Sequence, residues 1–178
     1  MVRLSTLVLV GCCCTLLTAC AEPTGVASTR RSPSTAPSLE KTAGHHVTGS
    51  GHSFVGLTED LREFTFHAVE HPDGSITGSY KVERTDTGAY FITEVSCLSV
   101  DGNVAWVGGH IVETNIATVR VGTVSYFWAE DGGEGDDTQD VVSVARINDA
   151  AGRDVEFCTN RPKILPPIAV AVGNVQIR

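Results

Sequence analysis

No stretch of this sequence is apolar for long enough to cross a bilayer, which takes about 20 helical residues. The longest apolar run, Leu4 to Leu17, falls short, and the later run Ile164 to Val172 is shorter still and holds Pro166 and Pro167. Basic residues are also few. Lys and Arg number 13 against 21 Asp and Glu, leaving a net charge of −8. Phosphate binding needs a basic footprint, so nucleic acid is excluded as a partner. Aromatic residues make up only 6% of the chain. No G-x-S-x-G elbow, P-loop or dinucleotide fingerprint occurs. Triads are assembled in space, however, so a hydrolase of unknown type stays open as a third reading.

What is present begins with an address. Arg3 precedes the apolar run, and the run ends in Leu17-Thr18-Ala19-Cys20. A charged start, a short apolar core and small residues describe a signal peptide. The four closing residues resemble the bacterial lipobox. That resemblance implies cleavage before Cys20, lipidation of Cys20, and a mature protein tethered to a membrane outside the cytoplasm. Each buried methylene of an anchor contributes about 0.8 kcal/mol, so two or more chains hold firmly. Residues 1–19 therefore read as the signal peptide.

Residues 20–44 read as the lipidated cysteine and a disordered linker. Ser, Thr, Pro and Ala dominate there, as in Ser32-Pro33-Ser34-Thr35-Ala36-Pro37-Ser38, and no apolar period appears. The pattern changes over 45–178. Ile76, Gly78, Tyr80 and Val82 alternate with polar neighbours, and Val175 and Ile177 alternate with Asn174, Gln176 and Arg178. Further apolar runs lie at 88–100, 104–113, 120–128 and 141–147. Asp86-Thr87-Gly88 and Asp101-Gly102-Asn103 supply turns between them. Leu61 to Ala68 has a helix-like spacing, but Phe64-Thr65-Phe66 and the turn at Pro72-Asp73-Gly74 favour a strand. These features predict an all-β domain, an antiparallel barrel of about eight strands, with a β-sandwich as the alternative. The regular terminus predicts a paired last strand, with the segment near Val47 to Val55 as its neighbour.

The segments Leu61-Arg62-Glu63-Phe64-Thr65-Phe66, Cys97 through Ala105, Asp131-Gly132-Gly133-Glu134-Gly135 and Gly173-Asn174-Val175-Gln176 together resemble uncharacterised secreted β domains of bacteria. The resemblance implies the fold and the extracytoplasmic address, and no activity.

Four constellations invite chemistry. Cys12, Cys13 and Cys14 leave with the leader and Cys20 takes the lipid. Cys97 and Cys158 then remain as an even pair in an oxidising compartment, which predicts a disulfide. Glu130 to Asp140 is an acidic, glycine-containing stretch. Asp131, Glu134, Asp136, Asp137 and Asp140 supply the hard oxygens that suit Ca²⁺, although the spacing is not that of an EF-hand and a solvated hairpin loop explains the same residues. His67-Ala68-Val69-Glu70-His71 matches the H-x-x-E-H zinc pattern, which requires a helix. On a strand the two histidines stand about 13 Å apart, too far for one zinc. His45, His46 and His52 cluster near the linker, and His110 follows Gly108-Gly109; both read first as solvated or packing features.

The expectation is thus a lipid-anchored β module with a non-catalytic envelope or binding role, partnered by a membrane and by an unidentified envelope component or small ligand. The alternative is a carrier holding a small apolar ligand inside the barrel, decided by whether the interior is open or packed.

Overall fold

The computed structural model describes residues 44–56, 60–134 and 138–178. Residues 1–43, which hold the expected signal peptide, Cys20 and all but the last residue of the expected linker, lie outside the described residues, as do Asp136 and Asp137.

The described chain forms strands β1 (His46–Val55), β2 (Asp60–Glu70), β3 (Ile76–Arg84), β4 (Tyr90–Asp101), β5 (Val104–Thr114), β6 (Val124–Glu130), β7 (Val141–Ser143) and β8 (Arg146–Asn148). A helix α1 (Arg153–Asn160) and a last strand β9 (Pro167–Ile177) follow. The sheet runs β5-β4-β3-β2-β1-β9-β7-β6, and β5 pairs with β6 to close the ring. The result is an eight-stranded antiparallel barrel with β8 as an extra strand on β6. Closure removes the sheet edges that a sandwich would have to protect.

Local chemistry explains the meander. β4 turns into β5 through Gly102-Asn103, where Gly102 adopts φ 59°, a conformation that favours a residue without Cβ. Leu61 to Ala68 lies within β2, and its strand geometry follows the Phe64-Thr65-Phe66 alternation. The last strand pairs with β1, with Val47 opposite Ile177 and Gly49 opposite Val175. Two of the expected runs are shortened. β6 begins at Val124 because residues 120–123 turn, and the run 141–147 breaks into β7 and β8, both of which pair with β6.

Alternate residues point inward and fill the barrel. Val47, Phe64, Phe66, Ala68, Tyr80, Phe91, Val107, Ile111, Phe127 and Val175 belong to one buried cluster. Phe127 sits edge-on to Phe66 at 5.1 Å and to Tyr80 at 4.9 Å between ring centres. Such contacts add to the area term that drives the collapse. Three hydroxyls lie inside this apolar filling. Ser125 hydrogen-bonds Tyr80, and its Oγ is 2.8 Å from Thr93 Oγ1. Burial raises the Tyr80 phenol above its ordinary value.

A second apolar layer covers the outside of β5 and β6. Val104, Trp106, Val124, Tyr126 and Trp128 face outward there and pack beneath α1 through Phe157. The following segment lies across the indoles: Trp106 donates to the Pro162 carbonyl at 3.1 Å and Trp128 to the Leu165 carbonyl at 3.2 Å. Cys97 on β4 and Cys158 on α1 form a disulfide, which fastens the helix to the wall. Every strand, both bridge cysteines and the described core fall within residues 44–178.

Candidate functional site

The polar side chains of interest lie in three places, of which the first two hold residues expected from the sequence. The acidic stretch joins β6 to β7 and runs along β9. Only Pro167 to Ala169 of β9 pair with β7, so the later part of that strand presents backbone donors without a ladder partner on this side. Carboxylates supply the missing acceptors. Asp140 accepts from Val175 N–H through Oδ2 at 2.6 Å and from Gly132 N–H through Oδ1 at 2.8 Å. Asp131 accepts from Ile177 N–H at 3.0 Å and from Gly133 N–H at 2.8 Å. Glu130 lies 2.7 Å from Lys163 Nζ, and Glu134 is exposed. Asp131 and Asp140 thus direct their oxygens at amide protons and stitch the barrel shut. Among the described residues no group of three or more His, Cys, Asp or Glu is placed to hold a metal.

The histidines do not converge. His67 is exposed on β2, and His71 lies past its end with Nε2 2.8 Å from Thr77 Oγ1. His45 Nε2 stands 4.0 Å from Glu70 Oε2 at the start of the barrel. His110, by contrast, joins a group that the sequence reading did not find. Asp154, in the first turn of α1 and 1% exposed, accepts a hydrogen bond from the Ser96 hydroxyl through Oδ2 at 2.5 Å. His110 Nδ1 is 3.9 Å from the same oxygen. Its Oδ1 faces no donor among the described residues. Ser, His and Asp are together, but the carboxylate is the hub. Ser96 donates to Asp154 rather than to an imidazole, which is not the order that activates a nucleophile. The spacing of Asp154, Phe157 and Cys158 as i, i+3, i+4 was the available sign of this short helix.

The third place is the rim where β1 ends and β2 begins. Arg62 shares its inward parity with Phe64, Phe66 and Ala68, and so lies at the mouth of the barrel. Asp60 holds the Arg62 guanidinium at 3.1 Å and that of Arg84 at 3.3 Å. Arg84 also reaches Asp86 at 2.8 Å, and these contacts keep the Asp86 carboxyl below and the Arg84 guanidinium above their ordinary values. Arg62 Nε is buried and has no acceptor among the described residues. It borders a partly open space of about 30 Å³ lined mainly by apolar groups, with Ser53, Thr65, Lys81 and Ser143 also on its walls. A space of that size holds a water-sized group or two, whereas a drug-sized ligand occupies some 300–1,000 Å³.

The fold defines a closed antiparallel β-barrel with a filled interior, a helix-covered flank and one polar rim. No protein-family model matches the chain, and no curated protein or solved structure matches it.

Proposed function

We propose that the chain is a lipid-anchored extracytoplasmic module whose β-barrel has a non-catalytic binding or envelope role. The observation that carries this reading is the filled barrel. Side chains from all around the ring meet in its centre, and the remaining space of about 30 Å³ cannot enclose an apolar cargo. The module therefore works through its surface. Its address rests on Leu17-Thr18-Ala19-Cys20 behind the short apolar core, and on the likeness to secreted bacterial β domains. The Cys97–Cys158 bridge is in keeping with an oxidising compartment.

The test is made in bacterial cells expressing the full chain with a clickable fatty acid in the medium. Wild type is expected to take up label, to sediment with membranes and to be cut by protease added from outside the cytoplasm. Cys20→Ser is expected to lose the label and leave the membrane fraction. Equal label on both chains would refute the anchor, and a barrel protected inside the cytoplasm would refute the address.

A further inference from the structure

Charge is missing from one sector of the barrel wall. β1 and β9 pair with each other from Val47 opposite Ile177 to Ser53 opposite Val170. β1 contains no Asp, Glu, Lys or Arg, and neither does the chain from Ile164 to Ile177, which includes β9. β2 to β6 each carry at least one. Apolar side chains are exposed on this same sector. Phe54 is 49% exposed and Val172 68%. Val172 lies opposite His52, two residues before Phe54 and on the same face of β1, and Leu61 of β2 lies opposite Phe54. Phe54, Pro166, Pro167 and Ala169 border one open groove. Other large apolar side chains are exposed elsewhere, but each has a charged neighbour in the chain. Glu113 follows Val112, Arg120 precedes Val121, Asp154 and Glu156 flank Val155, and Lys163 precedes Ile164. Phe54 and Val172 have no such neighbour. Glu63, opposite His52, marks the border with β2.

A neutral, partly apolar patch on an acidic protein suits a surface that offers hydrocarbon and repels carboxylates. The chain carries a net charge of −8. Its other walls would meet repulsion from anionic headgroups and a desolvation cost at the interface. Steering and register at a protein interface come from complementary charge. This sector has none to offer, and a lipid surface needs none. The route of the chain points the same way. β1 is the first described strand, so residues 1–43, with the apolar run Leu4 to Leu17 and Cys20, lead directly into this wall. We propose that the β1–β9 wall is the face that the barrel lays on the bilayer, with Phe54 and Val172 at the acyl boundary and Ser50 and Asn174 among the headgroups. A tether keeps the wall near the lipid at high effective concentration, so a few side chains suffice. The inference rests on the reading of the chain as lipid-anchored and adds the face that meets the membrane.

The experiment uses the full chain in bacterial cells grown with ³²P-phosphate and a clickable fatty acid. Photoreactive benzoylphenylalanine replaces Phe54 or Val172, or Val112 or Val155 as exposed apolar controls on β5 and α1. Phospholipid carries phosphorus and a diacylglycerol anchor does not, so light-dependent ³²P on the chain reports contact of that position with lipid. Positions 54 and 172 are expected to take up about tenfold more ³²P than 112 and 155. With the probe at 172, Phe54→Asp is expected to lower the ³²P about tenfold while the chain still sediments with membranes. The Cys97–Cys158 bridge, seen as faster migration without reductant, reports that each variant has folded. Equal ³²P at all four positions, a cross-linked dimer at 54 and 172 in place of ³²P, or undiminished ³²P in folded Phe54→Asp would each overturn the proposal. Fatty-acid label without ³²P at 54 and 172 overturns the docking alone, and ³²P there without fatty-acid label overturns the anchor alone.

Discussion

Removing the Asp140 carboxylate should open the barrel along β9. Asp140 is 9% exposed, and its two oxygens accept from Val175 and Gly132 N–H at 2.6 and 2.8 Å. Hydrogen bonds to a charged group contribute roughly 1.5–3 kcal/mol each, so the pair sets a ceiling of about 3–6 kcal/mol. Water admitted by a truncated side chain recovers part of that, and Asp140→Ala is expected to cost about 3 kcal/mol. For a barrel of this size that is roughly 9–15 °C in melting temperature. Asp140→Asn keeps the shape but sets an amide donor against a backbone donor, so it should also destabilise, by about 1–2 kcal/mol. The assay is thermal unfolding by circular dichroism, together with amide hydrogen exchange. The Val175 amide should lose protection in Asp140→Ala, while exposed Glu134→Gln leaves both readouts unchanged. If Asp140→Ala melts within about 2 °C of wild type and the Val175 amide exchanges at the wild-type rate, the stitching argument is wrong. Because Asp131 and Asp140 already face donors, wild type should melt at the same temperature in chelator, Ca²⁺ and Mg²⁺ at matched ionic strength. A rise selective for Ca²⁺ would restore the cation reading of the loop.

Three further outcomes are expected. Cys97 and Cys158 are 61 residues apart, which the chain-entropy relation converts to about 4 kcal/mol, so replacing both with Ala should lower the unfolding free energy by that amount, read as a lower denaturant midpoint, without dissolving the strands. Gly108→Ala would put a Cβ 2.9 Å from Asp154 Cβ and 2.9 Å from Cys97 Sγ, and should cost about 1–3 kcal/mol by lifting the first turn of α1 off β5, seen as loss of protection in the helix amides. Tyr80 holds its proton more tightly in the folded barrel than its ordinary value of 10.0. The stability it contributes is therefore complete below about pH 10 and declines as the pH rises toward its folded value. Denaturation of wild type should ease above pH 10 and Tyr80→Phe should show a shallower alkaline slope; parallel slopes would remove Tyr80 from that account.

The parts of the fold that could be read from sequence are those decided locally. The turn at Asp101-Gly102-Asn103, the alternation of Ile76 to Glu83 and the regular terminus each carry their structure within a few residues. β5 and β6 do not alternate, because α1 and the segment after it bury the outer side of Trp106 and Trp128 as thoroughly as the barrel buries Val107 and Phe127. The helix itself is eight residues long and opens after Gly152 with no side-chain cap, so its start signals are few. The Cys97–Cys158 pair followed from elimination, since the other cysteines had assigned fates. The roles of Asp131 and Asp140 were hidden for a different reason. An acidic loop has the same composition whether its carboxylates face a cation, water or the amides of a distant strand. Arg62 was not singled out in the sequence, because its missing acceptor is a property of the assembled rim.

The pairing of the first strand with the last also governs when this barrel can exist. Val47 meets Ile177, and His46 and Arg178 exchange backbone hydrogen bonds at 2.9 and 3.0 Å. Contacts between the two ends of a chain are the slowest to form, because the whole intervening loop must be ordered before they stabilise anything. While the ribosome is still adding residues before Gly173, β1 has no strand on that side, and the growing meander is an open sheet with an adhesive edge. Closure thus waits until β9 has been made.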